Sequence, residues 1–366
     1  MKTAILHNYL DNIGGAEIVT LTLARELSAD VYTTNIDKEK IKKMGFPDVI
    51  SRVYSIGKIP LNAPFRQQLA LLKFRRLKLR GYDFYIIAGD WAMSAAFNNK
   101  PNLWYVHSPI REIWDAYEYV RNDIVPFPLR HFFDIWVYYN RHLNKKYVNH
   151  VGKIVCNSNN TKNRVKKFLN KEAKVINPPV ETSKFKCKKG SYWLSVNRLL
   201  AAKRVDLQVK AFSKLPEEKI VIVGSYEKSR HFLQYADYLR KIKPKNVEIL
   251  SWVDDEELRA LYANCKGLIA TAMDEDFGMT VVEAMASGKP VIAANEGGYK
   301  ETVINNVTGK LIDNINEEKL AEKIKKMSKE LEKNPKKYKK NCIKQAKKFD
   351  VKIFIRKIRE EINNKI

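Results

Sequence analysis

Short apolar runs alternate along this chain with stretches whose apolar residues recur at helical spacing. The clearest case begins at residues 266–272, where Gly267-Leu268-Ile269-Ala270 reads as a buried strand. An acidic loop at 273–277 follows. Met279, Val282, Met285 and Ala286 then share one helical face, Gly288 supplies a stop, and Pro290 stands just beyond it. Residues 291–294 form the next strand. Such a succession is a βαβ unit, and its ligands belong at the carboxyl ends of the strands.

The same alternation opens the chain. Residues 2–7 read as a strand and 8–15 as a loop carrying Gly14 and Gly15. Residues 16–27 read as a helix with Ile18, Leu21, Leu23, Ala24 and Leu27 along one stripe, and 31–34 as a second strand. No G-x-G-x-x-G is present, so the dinucleotide fingerprint is not met. Further strands are expected at 82–88, 102–106, 153–158, 192–196 and 219–224. Basic helices are expected at 316–333 and 335–348. A last amphipathic helix carries Val351, Phe354, Ile355, Ile358 and Ile362. The polar, basic stretch at 183–190 places a domain boundary near residue 180. The fold class is α/β.

Length agrees, since 366 residues favour two domains over one core. The apolar run nearest to membrane length, 84–97, is broken by Gly89 and Asp90, and the first residues are too briefly apolar for a signal peptide. Cys156, Cys187, Cys265 and Cys342 stand singly. That suggests reduced thiols in a cytoplasmic protein, with no zinc spacing. The net charge of +26 implies attraction to polyanions or an anionic membrane. Residues 61–80 mix Phe65, Leu69 and Leu72 with Arg66, Lys73, Arg75 and Arg76; such a helix can lie on an anionic bilayer surface, and an ordinary domain helix with its stripe in the core has the same pattern.

Candidate chemistry centres on Glu275 and Glu283, eight residues apart on either side of a helix start. The amides of Gly278, Met279 and Thr280 would point at an anion such as a diphosphate. Each carboxylate can accept two hydrogen bonds, which suits the paired hydroxyls of a ribose or hexose.

The block from Glu275 through Glu283 to Ala293 resembles the E-x7-E segment of retaining glycosyltransferases of family 4, which have the GT-B fold. The resemblance implies two Rossmann-like domains, 1–180 for the acceptor and 181–350 for the donor, facing a cleft, with 351–366 crossing back to the first. It implies that Glu283 holds the nucleotide ribose and Glu275 contacts the donor sugar. The backbone at Phe277, Gly278, Met279 and Thr280 would serve sugar and phosphate. Asn295-Glu-Gly-Gly-Tyr-Lys-Glu301 resembles the family's following Gly-Gly loop, and Gly14-Gly15 its first-domain counterpart. Gly224-Ser225 resembles a glycine turn, and Leu250-Ser-Trp-Val253 the segment beside the base.

Arg198 and Lys203 resemble the family's R-x4-K pair, two cations that would neutralise the departing diphosphate without a divalent metal. Val106-His-Ser-Pro-Ile-Arg-Glu-Ile-Trp-Asp115 is similar to a segment of members that transfer mannose in bacterial surface polysaccharides. There His107 would bond a sugar hydroxyl or stabilise charge at the reacting carbon. The expected donor is therefore GDP-mannose, with UDP-hexoses next, and no cofactor or metal. A glycan or lipid-linked acceptor, front-face transfer with retention, and a cytoplasmic location at the inner face of the membrane complete the expectation. Other readings compete. Asp274-Glu275-Asp276 is also a D-x-D, but a hard cation there would oppose the helix dipole. A polyanion- or nucleic-acid-binding protein would suit the charge, but the basic residues are spread and no RNA-binding motif is present. A nucleotide-sugar epimerase or a phosphorylase would share the architecture.

Overall fold

Two parallel sheets dominate the structure, a computed structural model that describes residues 1–225, 230–251 and 253–364. The first sheet contains β1 (Thr3–Leu6), β2 (Asp30–Thr33), β3 (Val53–Ser55), β4 (Phe84–Ile87), β5 (Asn102–Val106), β6 (Lys153–Cys156) and β7 (Lys174–Val175). Their order is β3-β2-β1-β4-β5-β6-β7. Every residue of β1, β4 and β5 is buried, because helices cover both faces of a parallel sheet. Chain order reverses between β1 and β4, where Ala4 stands opposite Tyr85. Residues just past these strands lie at the switch point.

The helix Gly15–Glu26 buries its stretch from Val19 to Ala24. The basic helix expected over 61–80 is shorter and runs Phe65–Arg76. Pro64 precedes its first turn and Leu77 turns to extended backbone, so the apolar pattern outlasts the helix. Ala70, Leu71 and Phe74 of this helix enter the core beside Trp91, Trp104 and Val137. The helix expected over 335–348 is likewise shorter, Lys339–Ala346.

The second sheet holds β8 (Tyr192–Arg198), β9 (Ile220–Ser225), β10 (Val247–Leu250), β11 (Cys265–Ala270), β12 (Val291–Ala294) and β13 (Gly309–Ile312). Their order is β10-β9-β8-β11-β12-β13. The switch point here falls between β8 and β11. Its core is separate from the first, with Trp193, Phe212, Val282 and Ile292 at the centre.

The chain divides into two compact units, one running to Asn177 and resuming at Phe354, the other Pro178–Ile353. The last helix, Val351–Asn363, thus supplies most of its length to the first unit. Phe354 meets the edge of Tyr105 there at 5.6 Å, and the Lys153 ammonium donates to the Glu361 carbonyl at 2.8 Å. Among the described residues, no helix is long and apolar enough to cross a membrane.

Candidate functional site

In the second unit, the segment between β11 and the helix Met279–Ala286 is held from three directions. Thr271 Oγ1 donates toward the carbonyls of Lys203 (2.8 Å) and Arg204 (3.1 Å) and accepts from Gln208 Nε2 (2.7 Å). The Arg204 guanidinium reaches the carbonyls of Thr271 (2.6 Å) and Ala272 (3.3 Å) and pairs with Glu296 at 2.9 Å. Glu296 in turn accepts from the Asp274 amide at 3.3 Å. From the third side, the Gly298 amide donates to the Glu275 carbonyl at 2.7 Å. Gly297, at φ +52°, lies so close that a Cβ there would stand 2.4 Å from the same carbonyl oxygen and 2.6 Å from the Glu275 nitrogen. Only glycine fits both the conformation and the approach.

This scaffold fixes two carboxylates. Glu275 pairs with Lys203 Nζ at 2.5 Å, and both side chains are largely buried. The Met273 amide bonds the Ala202 carbonyl at 2.8 Å, which ties the turn Ala201–Lys203 to the acidic loop. Arg198 ends β8, across from Ser225, and is exposed. Glu283 lies one turn into the helix Met279–Ala286, where its Oε2 accepts from the Tyr262 hydroxyl at 2.7 Å. Burial pushes the Glu283 carboxyl from its ordinary 4.5 up to about 7; the Tyr262 hydroxyl pulls the other way and the Asp255 charge adds to the rise.

Between the two acids the helix begins without a side-chain cap or an acidic residue in its first turn. The amides of Met279 and Thr280 open an α-helix and so have no acceptor within it. Gly278 sets that entry at φ +89°, pressed on the Tyr299 ring, where a Cβ would approach to 2.7 Å. Along the chain, positive amide dipoles thus lie between two carboxylates, with Lys203 held against the first of them. A molecule with a central anion and a polyol at each end matches that sequence of groups.

The other residues singled out in this unit have side chains in the core or none. The Phe277 side chain is buried and meets Phe349 at 5.3 Å. Gly224 backs onto Leu199, and the Val253 side chain joins the core; Trp252 lies outside the described residues. Arg204, Glu296 and Tyr262 were not picked out from the sequence. Their signal was faint, since each acts on a residue 21 or more positions away in the chain.

The first unit gathers its own polar set past the ends of β1, β4 and β5. His107 follows β5, its carbonyl bonded by Asn157 Nδ2 at 2.8 Å. Burial, helped by neighbouring His7, lowers the His107 pKa to about 3, so the ring is neutral near pH 7. Among the described residues, its buried Nε2 has no hydrogen-bond partner. His7 follows β1 and bonds Thr20 at 3.2 Å, with Glu17 4.0 Å away. Asp90, after β4, takes bonds from Asn8 and from the Trp91 amide, and burial still raises its pKa. Burial and the Asp90 charge lift Glu112 to about 7. Gly14 and Gly15 open the first helix, with the Glu17 carboxylate beside Gly14. His7 and Asp90 each follow a buried strand, but nothing in the local sequence around them or around Glu112 marks a site.

Residues 13–184 match the family model described as Glycosyltransferase Family 4, and residues 181–349 the model described as Glycosyl transferases group 1. An alpha-1,3/1,6-mannosyltransferase, ALG2 of Dictyostelium discoideum, is 25% identical over 375 residues, covering 85% of this chain and 86% of that one. An uncharacterized glycosyltransferase of Methanocaldococcus jannaschii is 29% identical over 174 residues, 47% of this chain and 48% of its own. Among solved structures, Anabaena HepE in complex with UDP and glucose has a TM-score of 0.76 at 18% identity, over 100% of both chains. Sucrose-phosphate synthase from Thermosynechococcus elongatus has a TM-score of 0.71 at 16% identity, over 99% of this chain and 98% of that one. Both structural likenesses are likenesses of fold.

Proposed function

The chain belongs to the glycosyltransferases of GT-B fold, its first half to family 4 and its second to group 1, and we propose that it transfers a hexose from a nucleoside diphosphate sugar to a glycan or lipid-linked hydroxyl with retention. GDP-mannose is the preferred donor in this reading, supported by the segment around His107 and by the mannosyltransferase relative. A UDP-hexose is the second choice.

The observation that carries this reading is one uncapped helix start lying between Glu275, held by Lys203, and Glu283, held by Tyr262. In the proposed roles, Glu283 accepts from the two ribose hydroxyls and Glu275 from hydroxyls of the hexose. The amides of Met279 and Thr280, with Lys203 and Arg198, take the diphosphate. As the glycosidic bond breaks, the negative charge grows on the phosphate that these groups already face. The same two cations take the place of a divalent metal in this scheme. The acceptor hydroxyl enters on the face the diphosphate leaves, and its proton goes to the departing phosphate oxygen. His107, neutral at pH 7, serves as a hydrogen-bonding group and not as a cation.

Two measurements test the reading. Thermal shifts with GDP, UDP and ADP, with and without chelator, identify the base and any metal requirement. Ligand at ~100 times its dissociation constant adds roughly 2.7 kcal/mol of stability. Proton NMR of the product then gives the anomeric configuration. An inverted product, or no response to any nucleoside diphosphate, overturns the proposal.

A further inference from the structure

The first unit exposes an aromatic surface that the transfer chemistry does not use. Phe127 is 78% exposed, Phe132 70%, Ile135 68% and Tyr138 79%, with Leu129 and Tyr139 also more than half exposed. These side chains come from one loop and one face of the helix Arg130–Val148, whose other face buries Val137, Asn140, Leu143 and Tyr147. Single exposed apolar residues are ordinary, but a run of them along one helix face marks an interaction surface.

We propose that this face docks the protein on an anionic lipid bilayer. Charge selects that occupant. The stripe continues into exposed His142, Lys145 and Lys146 and contains no carboxylate. Asp134, the helix's acidic residue, is turned aside and bound by Arg121 (2.8 Å) and the Tyr117 hydroxyl (2.7 Å). The helix Phe65–Arg76 meets this one through Gln68, which accepts from Trp136 and Asn140, each at 3.2 Å. It too leaves apolar residues exposed, among arginines and a lysine with no acid from 61 to 80. Aromatic side chains at headgroup depth beside lysines are the composition of an interfacial helix. A second copy is a poor fit, since two chains of +26 would be brought together along basic stripes. The surface is independent of the donor assignment, and would hold the protein where a lipid-linked acceptor lies.

Co-sedimentation of the full chain tests this, using phosphatidylcholine vesicles with and without phosphatidylglycerol. The wild type is expected to partition preferentially to the anionic vesicles. The triple variant Phe127→Ser, Phe132→Ser, Tyr138→Ser is expected to lose at least roughly tenfold in partitioning, because its inserted apolar area is gone. Its thermal shift with nucleotide should match the wild type, which separates loss of docking from loss of fold or of donor binding. The proposal is overturned if the triple variant partitions like the wild type or if the wild type ignores both vesicles. A wild-type dimer in sedimentation velocity that the triple variant dissolves would also overturn it, by showing that a second copy covers the face.

Discussion

Lys203 Nζ stands 2.5 Å from Glu275 Oε2, joining the turn after β8 to the loop after β11 across the switch point of the second sheet. The pair lets the proposed phosphate cation and the proposed sugar acceptor hold each other before any donor arrives. A diphosphate then competes for the ammonium, and the freed carboxylate meets the sugar.

Lys203→Ala is accordingly expected to weaken binding of the preferred nucleoside diphosphate about 10- to 100-fold, the worth of one or two charge-assisted hydrogen bonds. Glu275→Ala is expected to leave nucleotide affinity nearly unchanged and to slow transfer. Calorimetry with the nucleotide alone, set beside kcat, separates the two. Equal loss of nucleotide affinity in both variants would contradict the division of roles.

Glu283 brings pH into donor binding. Its folded pKa of about 7 lies above the ordinary 4.5, so the carboxyl is largely protonated below pH 7 and accepts fewer bonds from a ribose. Nucleotide affinity is expected to rise as pH increases through about 7, with proton release on binding in that window. For stability the sign is opposite. The native state binds this proton more tightly than the unfolded chain, so its contribution is full below about 4.5 and is lost as pH rises toward about 7. Glu283→Gln should flatten both profiles, and Tyr262→Phe, which removes a bond to the ionised form, should shift the binding midpoint upward. A wild-type affinity constant from pH 5.5 to pH 8.5 would refute the ribose role.

Gly297→Ala tests whether the loop geometry matters as much as the acids. The added methyl meets Glu275 backbone at 2.4 Å, and the left-handed φ is unfavourable for alanine, so the loop must move. A stability loss of roughly 1–3 kcal/mol is expected, with a larger proportional loss of kcat, because Glu275 is displaced from its sugar. Unchanged kcat with lowered Tm would show that the loop tolerates the shift.

How much of this was legible in the sequence depends on the range of each interaction. The strands at 102–106 and 291–294 are β5 and β12 as expected, since an apolar run bounded by turn residues is a local signal. The helix after the acidic loop was equally readable from Met279, Val282 and Met285, which one face must bury. Its supports were not. Arg204 and Glu296 pair across 92 positions of the chain, and nothing near either residue announces the other. Helix lengths were overestimated at 61–80 because Leu77 and Leu79 keep the apolar spacing while packing as irregular chain. His7 was passed over because its neighbour His107 lies two strands away in the sheet.

Among the described residues the buried Nε2 of His107 has no partner, which leaves its hydrogen-bonding capacity for a bound molecule. With its pKa held near 3 by burial and by His7, it carries no charge at neutral pH. His107→Phe keeps the ring and removes the bond, and is expected to lower kcat roughly a hundredfold, the usual cost of one preorganised donor. His107→Gln retains an amide and should recover part of that loss, while nucleotide affinity stays at the wild-type value in both. The imidazole carbon-bound proton resonance of His107 should not titrate between pH 5 and pH 8. A titration inside that range, with a matching limb in the kcat profile, would mean that the ring works as an acid or cation and that hydrogen bonding is the wrong role for it.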